Sequence, residues 1–136
     1  MTSLEISILA GGVAAFAGAL TGVMALSGAM TPDLSGGQGK ASLDGRLTLG
    51  SYLLASHAIT AAALWQAPTI GSCLAASLGA GWLGAAAASL IAMMSQPDRP
   101  VRRIAHTAFR AAVGFALVSP LWSYVEIMKR HAAMAG

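Results

Sequence analysis

No residue ionised at neutral pH occurs between Glu5 and Asp33, or between Arg46 and Asp98, and the second gap holds a single histidine, His57. A helix needs about 20 apolar residues to cross roughly 30 Å of hydrocarbon, and both gaps are longer than that. The chain of 136 residues is 56% hydrophobic and only 10% charged, with a mean hydropathy of +0.68. Soluble proteins carry about a quarter charged residues, so a soluble domain of this size would have to hide more apolar surface than it can. The expectation is an all-α polytopic membrane protein: one transmembrane domain over residues 1–136, folded as a four-transmembrane-helix bundle.

Helix breakers divide the chain. The first apolar segment runs from about residue 4 to 30, interrupted only by Ser7, Thr21 and Ser27, and its length exceeds the bilayer, so it should tilt or fray. Pro32, Asp33, Gly36, Gly37, Gly39 and Gly45 mark 31–46 as a solvated loop. A second span, 47–65, ends at Trp65-Gln66-Ala67-Pro68, a tight turn with an interfacial aromatic. Spans two and three are therefore antiparallel neighbours. The third, 69–94, stops before Pro97 and Pro100; the fourth, 103–128, precedes a polar tail from Lys129 to Gly136.

The net charge of +3 does not point to nucleic acid, because the basic residues flank apolar segments and form no aromatic-interleaved patch. They act as topology signals. The long loop and the Pro97 loop together hold Lys40, Arg46, Arg99, Arg102 and Arg103, against Lys129 and Arg130 at the other end. Lysine and arginine accumulate in cytoplasmic loops. This predicts a bacterial inner (cytoplasmic) membrane protein with both termini periplasmic. The N-terminus carries Glu5 where a secretory signal would be basic, and its apolar run is too long for a signal core, so the first span is expected to be retained. Cys73, the only cysteine, can form no intramolecular disulfide or thiolate metal cluster.

Helices in lipid associate by close backbone approach through small residues four apart. Span one has Ala14, Gly18 and Gly22 in such a row; span three has Cys73, Ser77, Gly81, Ala85 and Ser89, and a second row of Ala76, Ala80, Gly84 and Ala88. Span three is thus the expected central helix. Packing within the chain is the ordinary use of such rows, and homo-oligomerisation is the other.

Ionisable groups inside a membrane are expensive and default to site candidates. His57 lies near the middle of span two with Tyr52, Ser56 and Thr60 on adjoining faces. Counting from the Trp65 turn brings Ser77 and Ser119 to similar depth, and Pro120 deprives the Ala116 carbonyl of its helical donor. The expected buried polar cluster is His57, Ser77, Ser119, Tyr52 and Thr60, with the imidazole satisfying that carbonyl. Glu126, three and four residues before Lys129 and Arg130, has the spacing of an interfacial ion pair. Arg110 should snorkel to the basic interface.

Other chemistry is less well served. Bis-histidine haem ligation by His57 and His106 suffers a depth mismatch of about 10 Å, and His131 lies in the tail. A serine hydrolase using His57 with Ser77 or Ser119 lacks a carboxylate at that depth. The loop glycines lack the Lys-Ser/Thr of a P-loop. No catalytic residue, metal or cofactor is predicted.

In order of features the chain resembles an uncharacterised bacterial family of four-helix membrane proteins, domain-of-unknown-function family 4345. The resemblance rests on the Gly-rich first span, Ser42-Leu43-Asp44-Gly45-Arg46 opening span two, Tyr52-Leu53-Leu54, the Trp65 to Pro68 turn, and Gly81 to Leu90 before a Pro-containing loop. The family pattern has an arginine near the glycines of span three, where this chain reads Gly81-Trp82-Leu83-Gly84. The resemblance implies four membrane helices and brings no chemistry with it. The expected function is a non-catalytic accessory or assembly subunit of a larger inner-membrane complex, or a homo-oligomer. The alternative is a small-ligand or proton-handling protein with a polar pocket around His57.

Overall fold

A computed structural model describes residues 2–28, 43–95 and 101–135 of the protein. The glycine-rich loop and the Pro97 loop, with Lys40, Arg99 and the side chain of Arg102, lie outside the described residues. The regular elements are α1 (Ser3–Ser27), α2 (Leu43–Gln66), α3 (Pro68–Met94) and α4 (Val101–Ala135). All four contain stretches long and apolar enough to cross a membrane. The chain is an all-α four-helix bundle.

Local chemistry sets the ends. Thr2 and Glu5 close a capping box at the start of α1, the Thr2 hydroxyl taking the Glu5 N–H and the Glu5 carboxylate the Thr2 N–H. Gly28 ends α1 in the left-handed region, φ 77°. Pro68 occupies the first turn of α3, where its missing N–H costs nothing, and Ala67 alone separates α2 from α3. The largest departures from the sequence expectation are at two boundaries. The helix α2 starts at Leu43, inside the stretch read as loop. The helix α4 continues through the stretch read as a polar tail, because Lys129 to Ala135 contains no glycine or proline and consists mainly of good helix formers.

The helices form an antiparallel ring in chain order, with α1 closing against α4; α1 and α3 touch across the middle, while α2 and α4 do not. Buried small residues permit this. Gly22 of α1 lies on the α2 backbone, where an added Cβ would stand 2.6 Å from the Leu54 nitrogen and 2.8 Å from the Gly50 carbonyl oxygen. Gly79 of α3 lies on Gly114 of α4, and Gly71 on Leu64 of α2. Ala14, Ala15, Leu64, Ala75, Val113 and Leu117 form the core. The exterior is strongly apolar, with Val13, Phe16, Ile59, Ile70, Ile91 and Phe115 all exposed.

The expectation of a central α3 is corrected. The apolar stretch of α1 is 33% buried, against 17% for that of α3. The row Ala14, Gly18 and Gly22 is buried as expected of internal packing, but Cys73, Ser77, Gly81 and Ala85 of α3 are exposed. The inward face of α3 is instead Gly71, Ser72, Ala75, Gly79 and Ala86. A helix with small residues all round offers no compositional contrast to tell its inner face from its outer one.

Candidate functional site

His57 is almost completely buried, at 1% exposure, on the face of α2 turned to α1. Gly18 of α1 makes room for it: a Cβ at that position would overlap the imidazole ring. Both ring nitrogens are engaged. Nε2 accepts the indole N–H of Trp82 on α3 at 2.8 Å, which puts the imidazole proton on Nδ1, whence it donates to the Leu53 carbonyl at 2.8 Å. The Ser56 hydroxyl, 3.3 Å from Nδ1, itself donates to Leu53 at 3.3 Å. This network fits a neutral imidazole, since a second ring N–H would meet the indole N–H head-on.

The contact extends across the bundle. The Trp82 indole stands edge-to-face on His57, centroids 5.9 Å apart at 80°, and edge-to-face on Phe109 of α4 at 6.0 Å and 85°. Gly18, His57, Trp82 and Phe109 thus join all four helices in one layer. A hydrogen bond between side chains of membrane helices contributes about 0.6 kcal/mol on average and up to about 1.7, and an aromatic pair about 0.5–1.5 kcal/mol beyond its buried area. The layer is therefore worth on the order of a few kcal/mol and fixes helix rotation, which uniform small-residue packing alone leaves loose.

The rest of the expected cluster is dispersed. Ser77 is exposed, and its hydroxyl donates back to Cys73 at 3.1 Å. It has the expected depth but the wrong face. Tyr52 is 65% exposed. Thr60 is buried beside His57 but turns its hydroxyl to the Ser56 carbonyl at 2.8 Å. Ser119 lies against Ser7 of α1, 3.5 Å from its carbonyl oxygen, whereas His57 lies against Gly18. Along α1 these two levels are about 16 Å apart at 1.5 Å per residue.

Pro120 is fully buried and packs on Gly11. The carbonyl of Ala116 that it leaves without a donor is satisfied by the Ser119 hydroxyl at 2.9 Å, not by His57. Glu126, Lys129 and Arg130 lie on the last turns of α4, with no ion pair joining them among the described residues.

Sequence reasoning found His57 and missed Trp82, its acceptor's partner, and Phe109. The available signal was position: Trp82 is far from the helix ends, where tryptophan normally anchors at an interface. A mid-span indole needs a hydrogen-bond acceptor, and His57 is the one ionisable group of the span next to it.

Compared with protein-family models, curated proteins and solved structures, the chain finds no match.

Proposed function

We propose that this chain is a non-catalytic integral membrane protein of the bacterial inner membrane, an accessory or assembly subunit that docks on another membrane chain or on a second copy of itself. The observation that carries this reading is the outward direction of the α3 row. A Cβ placed on Gly81 or Gly84 would meet nothing within 4 Å, and Cys73, Ser77, Ala85 and Ala88 beside them are exposed. Glycine inside a helix costs roughly 1 kcal/mol relative to alanine. Every buried glycine of α3 recovers this by backbone contact with a neighbouring helix, whereas Gly81 and Gly84 have no such contact with the described residues. A helix docked from outside would supply it.

The alternative, a ligand or proton pocket at His57, has less support. The imidazole is occupied on both nitrogens by protein groups, so a ligand would first have to displace the Trp82 indole. The excess of arginine at the α1 C-terminal and α4 N-terminal end supports placing that end in the cytoplasm and both termini in the periplasm.

The test is isolation of the full chain from its native membrane in mild detergent, with identification of co-purifying chains and of the particle mass. Stoichiometric association, lost in Gly81→Leu with the fold intact, supports the proposal. A monomeric, partner-free particle overturns it.

A further inference from the structure

Arg110 is the one arginine well inside a span of the described residues, about 13 Å along α4 from Val101 at 1.5 Å per residue. It is half-buried. Its Nη1 donates to the Ser89 hydroxyl of α3 at 2.6 Å. That hydroxyl has already given its own proton to the Ala85 carbonyl at 2.8 Å, so its lone pairs are turned to the guanidinium.

Among the described residues Ser89 is the only acceptor of Arg110, and no carboxylate pairs with it. A guanidinium offers five N–H donors in a planar fork suited to two oxygens of one group. In hydrocarbon such a charge is costly unless an anion meets it.

The surroundings specify the anion. His106 and Arg103 lie on the same face of α4 at helical spacing, one and two turns nearer the end of the bundle. Towards the bilayer centre from Ser89, the surface is Trp82 packed edge-to-face on Phe109, which is 42% exposed. The α3/α4 seam is therefore cationic above and aromatic below, and it is open to the lipid side.

We propose that the α3/α4 seam at Arg110 and Ser89 binds the phosphate of an anionic phospholipid, with an acyl chain lying along Trp82 and Phe109. Arg110 forms the bidentate contact, Ser89 holds the guanidinium at the depth of the phosphate, and Arg103 adds positive charge at the rim. Basic recesses between membrane helices recognise headgroups in this way. The inference does not depend on the accessory-subunit reading.

Native mass spectrometry of the purified full chain tests it, titrating phosphatidylglycerol, phosphatidylcholine with the same acyl chains, and inorganic phosphate. The expected result is a phosphatidylglycerol adduct clearly favoured over phosphatidylcholine, with none from phosphate at equal concentration. Arg110→Gln should weaken it about ten-fold or more, Ser89→Ala by less, and Lys129→Gln at the opposite end not at all. Equal adducts with the two lipids overturn the proposal, as does unchanged affinity in Arg110→Gln. If Arg110→Gln does not fold, unchanged affinity in Ser89→Ala overturns it. Phosphate adducts matching those of the lipid would make this a free-anion site and sink the lipid assignment.

Discussion

The indole nitrogen of Trp82 lies 2.8 Å from Nε2 of His57, and this bond joins α3 to α2 at the layer where α1 is thinned to Gly18 and α4 contributes Phe109. The pair is self-sufficient: the imidazole supplies one acceptor and one donor, and each has a protein partner. Removing either side chain leaves the other polar group in an apolar interior.

A double-mutant cycle should expose this dependence. His57→Leu strands the indole N–H and is expected to cost about 1–3 kcal/mol; Trp82→Phe strands Nε2 and costs a similar amount. The double variant should fall short of the sum by about 0.6–1.7 kcal/mol. Reversible unfolding in mixed micelles gives these values. Strict additivity would mean that the bond contributes nothing to folding.

Gly18 and Gly12 stand on the same helix in opposite circumstances. A Cβ at Gly18 overlaps the His57 ring, while one at Gly12 meets nothing within 4 Å. Gly18→Ala should destabilise by about 1–3 kcal/mol through overpacking. Gly12→Ala should be neutral or stabilising by up to about 1 kcal/mol through helix propensity. The same unfolding assay compares them, and equal effects would refute the close contact at Gly18.

The number and limits of the helices were largely legible because charge gaps and prolines are one-dimensional signals: Pro68 opens α3 and Met94 closes it, within one residue of the reading from sequence. The end of α4 was not, since Lys129, Arg130 and His131 read equally well as a tail or as an exposed helix. Rotation about each helix axis was the main loss. Depth counting placed Ser77 at the level of His57 but gave no face, and the hydroxyl turned out to serve Cys73 in its own helix. Ser119 failed because its hydroxyl turns to the Ala116 carbonyl and to Ser7 of α1, about 16 Å along α1 from the level at which Gly18 meets His57. His57 itself was legible, because a lone ionisable group in a span must face protein.

Ser119 and Pro120 make a coupled pair. The Ser119 hydroxyl donates to the carbonyl of Ala116 that Pro120 leaves without its helical donor. Ser119→Ala should therefore cost about 1 kcal/mol in the native sequence and close to nothing in a Pro120→Ala background, where the backbone N–H returns. Comparing the two unfolding free energies checks this. The same loss in both backgrounds would show that the hydroxyl serves only the Ser7 carbonyl on α1.

The proposed orientation makes a sharper demand. At one end of the bundle Arg46 and Arg103 begin α2 and α4, with Lys40, Arg99 and Arg102 in the adjoining sequence; at the other are only Lys129 and Arg130. The end with more lysine and arginine is retained in the cytoplasm. In a Cys73→Ser background, His131→Cys should react with a membrane-impermeant maleimide in intact spheroplasts, and Leu43→Cys only after permeabilisation. The reverse pattern would overturn the orientation. Because the bias is modest and C-terminal charges can reverse a topology, lysines appended after Gly136 should produce a mixed population in which both positions label. No such response is expected from added glutamates, since acidic residues contribute little to the rule. A shift caused equally by both would show that net charge, and not the lysine and arginine bias, orients the chain.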